Sequence, residues 1–274
     1  MKKLLILALL VLFTGCYQTD LVFEDQYRIV VESYLYVGTL DRSVTLTSMI
    51  SFGNDSTGGE GIADALVTLT GNSGEWVFKS TDSGPGNYIL ESGPELVPGD
   101  TLQLRVEILD QRLHASTVIP APPPPVTMSS SSMTIPKVED MTEFHDIEWP
   151  DPIELTWDNP QGESYFIRIE NIESNPGTIR PDPPDDLPGD RMGFVFQKVS
   201  QPTSGESFLI TPMELTHYGT HRVVFFHVNE EYADLYRSLE QDSHELNEPF
   251  TNVKNGLGIF TAFNSDTLYF EVKP

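Results

Sequence analysis

Three histidines in the second half of the chain, His217, His221 and His227, share one parity. Residues an even number apart on a continuous strand point to one face, so all three would look the same way. Three imidazoles around an open position form the donor set of a catalytic zinc site. Gly219 and Thr220 interrupt the pattern, and a break there scrambles the parity, which leaves ordinary core or solvent-facing histidines as the alternative. A second donor set is acidic. Asp182, Asp185, Asp186 and Asp190 crowd one proline-rich loop, PGTIRPDPPDDLPGD. Calcium takes several oxygen ligands from such loops, but the spacing matches no EF-hand and the prolines restrict wrapping around an ion. A solvated acidic loop is the competing reading.

Other constellations fail on their own terms. There is no Gly-x-Ser-x-Gly elbow, no P-loop and no Ser-x-x-Lys. His244-Glu245-Leu246-Asn247-Glu248 follows the zinc-protease helix only until glutamate replaces the second histidine. Glu139 and Asp140 are adjacent carboxylates, but among 41 acidic residues adjacency does not identify a glycosidase pair. No catalytic residue, resident metal or cofactor is expected.

The one side chain with an assignable chemistry is Cys16, the single cysteine of 274 residues. The chain opens MKKLLILALLVLFTGC, with Lys2 and Lys3 ahead of an apolar run from Leu4 to Phe13. As a helix that run reaches about 15 Å, roughly half a bilayer core. It reads as the core of a secretion signal rather than a span. Phe13-Thr14-Gly15-Cys16 resembles a bacterial lipobox, in which small residues admit a peptidase and the thiol takes diacylglycerol. Phe13 stands where leucine is usual. A secreted chain with one cysteine has no internal disulfide to form, so lipidation accounts for the thiol. Several acyl chains on one residue give a stable membrane anchor. Asp20, Glu24 and Asp25 follow closely and resemble signals that send lipoproteins to the outer cell surface. The net charge of −25 excludes nucleic acid as a partner.

The remaining sequence is a series of short strands. RIVVESYLYV, SVTLTSMI, ALVTLTG, EWVFKS, NYILES, TLQLRVEIL and LHASTVI are rich in β-branched and aromatic residues, with Gly, Asn, Asp and Pro clusters between most of them. This predicts an immunoglobulin-like or transthyretin-like sandwich over 27–119. The stretch ADALVTLTGNSGEWVFKSTDSGPGNYIL resembles carboxypeptidase-regulatory-like domains. IPAPPPPV is a polyproline II spacer that removes amide donors and stays out of a sheet. It opens a linker and lead-in over 120–150, unless it is a rigid crossover within one larger sandwich. A second β domain is predicted over 151–274, from IELTW, SYFIRIENI, GFVFQKV, SFLITP, THRVVFFHV, GIFTAF and TLYFEV. IELTWDNPQGESYFIRIE resembles the start of a fibronectin type III domain with Trp157 as its core indole. Residues 1–15 form the signal peptide and 16–26 a lipidated tether. The expected class is all-β: two sandwich-like domains and one helix.

That helix is predicted at about 230–241. Tyr232, Leu235, Tyr236 and Leu239 recur at helical spacing, Asn229 suits the N-cap, and Glu230 and Glu231 suit the first turn. Such a stripe is core more often than a docking face.

A wider resemblance rests on Tyr232 and Tyr236, then 247–250, then Asn252, Asn255, Gly256, Gly258 and Phe260. VVESYLYVG, ADALVTLT and STVIPAPPPP add to it. Together they resemble the Bacteroidota lipoprotein family called domain of unknown function 4249. The resemblance implies outer-membrane association and company with TonB-dependent receptors, and it transfers no catalytic residue. Asn255-Gly256 is also a turn signal, and Gly258 marks a bulge or close backbone approach. The expected role is a non-enzymatic binding or accessory subunit of an uptake system. A surface hydrolase acting on glycan or peptide, and an adhesive protein, are the alternatives.

Overall fold

A computed structural model of the chain describes residues 28–40, 42–49, 59–82, 84–139, 147–180, 197–239 and 250–274. These residues are mostly β, in one mixed and two antiparallel sheets, with one short α-helix. Strands are numbered in chain order. The largest sheet runs β13 (Gln197–Val199), β12 (Ser164–Asn171), β15 (Gly219–Val228), β16 (Leu257–Lys273), β1 (Ile29–Tyr36), β2 (Ser43–Ser48), β6 (Asn87–Ile89) and β5 (Lys79–Ser80). β10 (Ser132–Thr134) pairs with the far end of β16. A four-stranded sheet runs β4 (Gly74–Val77), β3 (Leu66–Gly71), β7 (Thr101–Ile108) and β8 (Gln111–Val118). A three-stranded sheet holds β14 (Ser207–Ile210), β11 (Ile153–Thr156) and β9 (Thr127–Met128). The helix, α1, spans Glu230–Leu239.

β16 is the spine. Its first part lies parallel to β1, from Val30 opposite Leu257 to Tyr36 opposite Phe263. Its second part is antiparallel to β15, from Val228 opposite Phe263 to Gly219 opposite Val272. Strand parity sets Phe260, Ala262, Phe270 and Val272 on one face of it. Phe260 and Ala262 close a first core with Val31, Leu35, Val67, Leu104 and Leu113. Phe270 and Val272 close a second with Ile153, Leu155, Trp157, Ile167 and Phe225. The four-stranded sheet covers the first core and the three-stranded sheet the second. Trp157 is buried, 4.7 Å from Phe225 and 6.0 Å from Tyr165 between ring centroids.

Three expectations change. GIFTAF and TLYFEV, read as two strands, are parts of one 17-residue strand. Asn264-Ser265-Asp266 looks like a turn, and its side chains do accept from the next amides, Ser265 N–H at 3.0 Å and Thr267 N–H at 2.7 Å. The ladder with β15 nevertheless continues unbroken across it. EWVFKS, read as one strand, divides at buried Phe78 into β4 and β5, which belong to different sheets. The 120–150 segment, read as linker, contains β9 and β10.

The proline run from 119 to 126 carries no strand. Its carbonyls still need donors once buried. Asn264 Nδ2 donates to Pro120 O at 3.0 Å, and His227 Nδ1 lies 2.8 Å from Ala121 O. His227 and Asn264 face each other across β15 and β16, so one polar rung holds the spacer between the two apolar cores.

Candidate functional site

The residues from Thr251 to Phe260 stitch the four-stranded sheet to the spine. β15 reaches along β16 only as far as Phe263, so among the described residues no strand lies beside the outer edge of β16 at Phe260. The Asn252 amide takes that place. It accepts from Phe260 N–H at 3.0 Å and donates to Phe260 O at 2.7 Å, as a neighbouring strand would. Lys254 exchanges backbone hydrogen bonds with His114 of β8, at 2.7 and 3.2 Å. Asn255 holds the left-handed turn with φ 63° while its amide donates to Arg112 O at 3.0 Å. At Gly258, φ is 99° and an added Cβ would stand 2.1 Å from Val31 O, so the close approach expected there is real.

Helix α1 lies on the outward face of the large sheet. Tyr232 packs on Phe263 at 4.9 Å, Phe166 at 5.6 Å and Tyr34 at 6.3 Å. Burial pushes the Tyr34 hydroxyl up to about 12, with Glu32 adding to the rise, and raises Tyr36 and Tyr232 as well. Tyr232 of the apolar stripe is thus packed against the sheet. Asn229 sits at the N-cap, and its carbonyl accepts from the Tyr232 and Ala233 amides. Its side chain does not cap; it donates instead to Thr117 Oγ1 at 2.9 Å and Val118 O at 2.7 Å. Glu231 accepts from Thr117 at 2.7 Å. These three bonds fasten the start of the helix to β8.

Beside the helix is an open cleft of about 620 Å³. Its walls are the 161–164 turn, the 201–204 loop, and one side of the helix from Asn229 and Glu230 to Tyr236 and Arg237. His227 forms its floor. With Nδ1–H given to Ala121 O, its Nε2 stands 3.4 Å from Glu163 Oε2. Glu163 also accepts from Tyr165 Oη at 3.1 Å. Burial pushes the Tyr165 hydroxyl up to about 12, and the bond to Glu163 reinforces it. Glu163 itself is held by its own amide, which donates to Asn159 Oδ1 at 2.9 Å. Arg237 is paired with Asp234 on the helix. The arrangement offers a carboxylate, an imidazole nitrogen and several amides to a polar ligand. A second opening of about 810 Å³ is lined by Arg28, Glu107, Leu109, Arg112, Asn255 and Gly256.

The three histidines do not converge. His217 precedes β15, while His221 and His227 lie six residues apart on it, roughly 20 Å along the strand. All three are buried. His221 stacks on Phe270 at 4.9 Å and meets Gly219 O at 3.1 Å; burial lowers its pKa, and His217 adds to that. No cluster of three metal-ligating side chains occurs among the described residues. Cys16, Asp140, Asp182, Asp185, Asp186, Asp190 and the 244–248 segment lie outside the described residues, as does the helix end expected at 240–241.

A family model, Domain of unknown function (DUF4249), matches residues 17–268. The chain belongs to the DUF4249 family. No curated protein matches it. Within this DUF4249 chain the resembling positions divide by role. Asn252, Gly258 and Phe260 fasten the spine, Tyr232 packs the helix, Asn255 and Gly256 line the larger opening, and Tyr236 reaches the cleft. Sequence reasoning missed Glu163, His227 as a cleft residue, and Arg237. Glu163 follows Gly162 in a turn whose composition reads only as loop, and nothing local brings it to a histidine 64 positions away.

Proposed function

We propose that this chain is a lipid-anchored outer-membrane protein of the Bacteroidota, displayed at the cell surface, which serves as a non-enzymatic binding or accessory subunit of a TonB-dependent uptake system. The anchor rests on the lipobox-like residues that end at Cys16. The binding role rests on one observation, the open polar cleft where loops of the second sandwich meet α1. Polar donors and acceptors on a rigid sheet and helix end suit recognition of a hydrophilic ligand. In this reading the two halves are an immunoglobulin- or transthyretin-like module and a fibronectin III-like module sharing a strand.

The tests separate anchor from role. Replacing Cys16 with alanine should release the protein from the membrane fraction and abolish acyl labelling. Tagged native protein, drawn from gently solubilised outer membrane, should bring a TonB-dependent barrel at matching stoichiometry. Recovery of the protein alone, across detergents and crosslinking, would defeat the accessory role. His227 beside Glu163 gives the hydrolase reading its one specific support. Turnover of a glycan or peptide that vanishes in His227→Gln would favour it over the binding role.

A further inference from the structure

The outward face of the four-stranded sheet reverses the charge balance of the chain. Acidic residues outnumber Lys and Arg 41 to 16 overall. Across this face, strand register sets Arg105 directly opposite His114, and His114 directly opposite Lys254. All three are exposed. Arg105 and Lys254 stand at the two ends of this row, with the His114 imidazole and no carboxylate between them. Among the described residues, neither Arg105 nor Lys254 takes part in an ion pair. Of the face's carboxylates, Glu107 is 3.7 Å from Arg112, and Glu75 lies on the outer strand β4 opposite Thr70.

One step along the strands runs a second row, Thr70, Gln103 and Ser116, each opposite the next. The two rows line a shallow depression of about 370 Å³. Its polar lining is two cations, Arg105 and Lys254, flanking the His114 imidazole, beside a line of hydroxyl and amide groups, and no Phe, Tyr or Trp lines it. A protein partner would want an aromatic or aliphatic anchor here, and a single-stranded nucleic acid would want stacking rings. The depression supplies neither: Leu104 and Ala115 line it but are buried, and no Phe, Tyr or Trp is present.

We propose that this face is a binding surface for an acidic polysaccharide, whose carboxylate or sulfate groups lie along Arg105, His114 and Lys254 and whose ring hydroxyls meet Thr70, Gln103 and Ser116. The site is separate from the cleft beside α1 and does not depend on the lipid anchor.

The purified chain is titrated with polygalacturonate, dextran sulfate, neutral dextran and poly-glutamate. Binding to either acidic glycan, weakening as salt rises, is expected, with none to neutral dextran and much weaker binding to poly-glutamate. The double variant Arg105→Gln/Lys254→Gln should bind roughly tenfold more weakly, with its melting temperature unchanged because both side chains are exposed. Gln103→Ala should weaken binding without changing the salt slope. Failure to bind either acidic glycan overturns the proposal, as does equal affinity for the double variant. Equal binding to poly-glutamate overturns the glycan assignment and leaves a general anion surface.

Discussion

Replacing Asn252 with alanine should destabilise the fold without touching the cleft beside α1. The Asn252 amide is the only hydrogen-bonding neighbour that the described residues place on the outer edge of β16 at Phe260. Phe260 is 0% exposed. The variant therefore leaves a buried N–H and a buried C=O unpaired at once. At about 1–3 kcal/mol for each orphaned group, the cost is about 2–6 kcal/mol. For a chain of this size that is a fall in melting temperature of roughly 4–24 °C. Thermal and urea denaturation of wild type and variant measure it directly. Asn252→Asp sharpens the test. It keeps an acceptor for Phe260 N–H but sets a carboxylate oxygen against Phe260 O, so it should rescue little at neutral pH. An alanine variant within about 0.5 kcal/mol of wild type would refute the reasoning, because it would show that the amide does not stand in for a strand.

Gly258→Ala should cost more than about 3 kcal/mol or prevent folding, since the added Cβ meets Val31 O at 2.1 Å with φ at 99°; expression yield and circular dichroism report it. Asn264→Ala leaves Pro120 O without its donor and should cost about 1–3 kcal/mol, read from the urea midpoint. His221 is held below its ordinary pKa of 6.5 by burial, so the unfolded chain takes its proton more readily. Its contribution is complete above pH 6.5 and is lost as the pH falls toward the lower folded value. Urea midpoints measured from about pH 7 to about pH 5 should fall more steeply for wild type than for His221→Asn. Equal slopes would remove His221 from that account.

Much of the fold could be read locally. Alternating patterns in LQLRV and HASTV marked β7 and β8, and an even tighter apolar run marked β15, because side-chain parity and β-branching are properties of a few neighbouring residues. Helix α1 was visible in the spacing of Tyr232 and Tyr236, and the Asn255-Gly256 turn in its residue types. The resemblance to DUF4249 rested on such short segments, chiefly the Tyr232 and Tyr236 helix and the stretch from Asn252 to Phe260, and the family match over 17–268 agrees with it.

What only the tertiary structure decided concerns partners far apart in the chain. That β16 runs through Asn264-Ser265-Asp266 follows from β15 lying beside it, not from the turn-forming residues themselves. Asn229 looked like a helix cap, but Thr117 and Val118 O, more than a hundred positions away, take its amide. His227 and Glu163 meet in one cleft, and Arg105, His114 and Lys254 form one row, because strand register brings them together. Local sequence sets which face a side chain takes, through short-range sterics and the two-residue period. Which distant group it then meets is set by burying apolar area and pairing every backbone donor over the whole chain, and no short window of residues contains that sum.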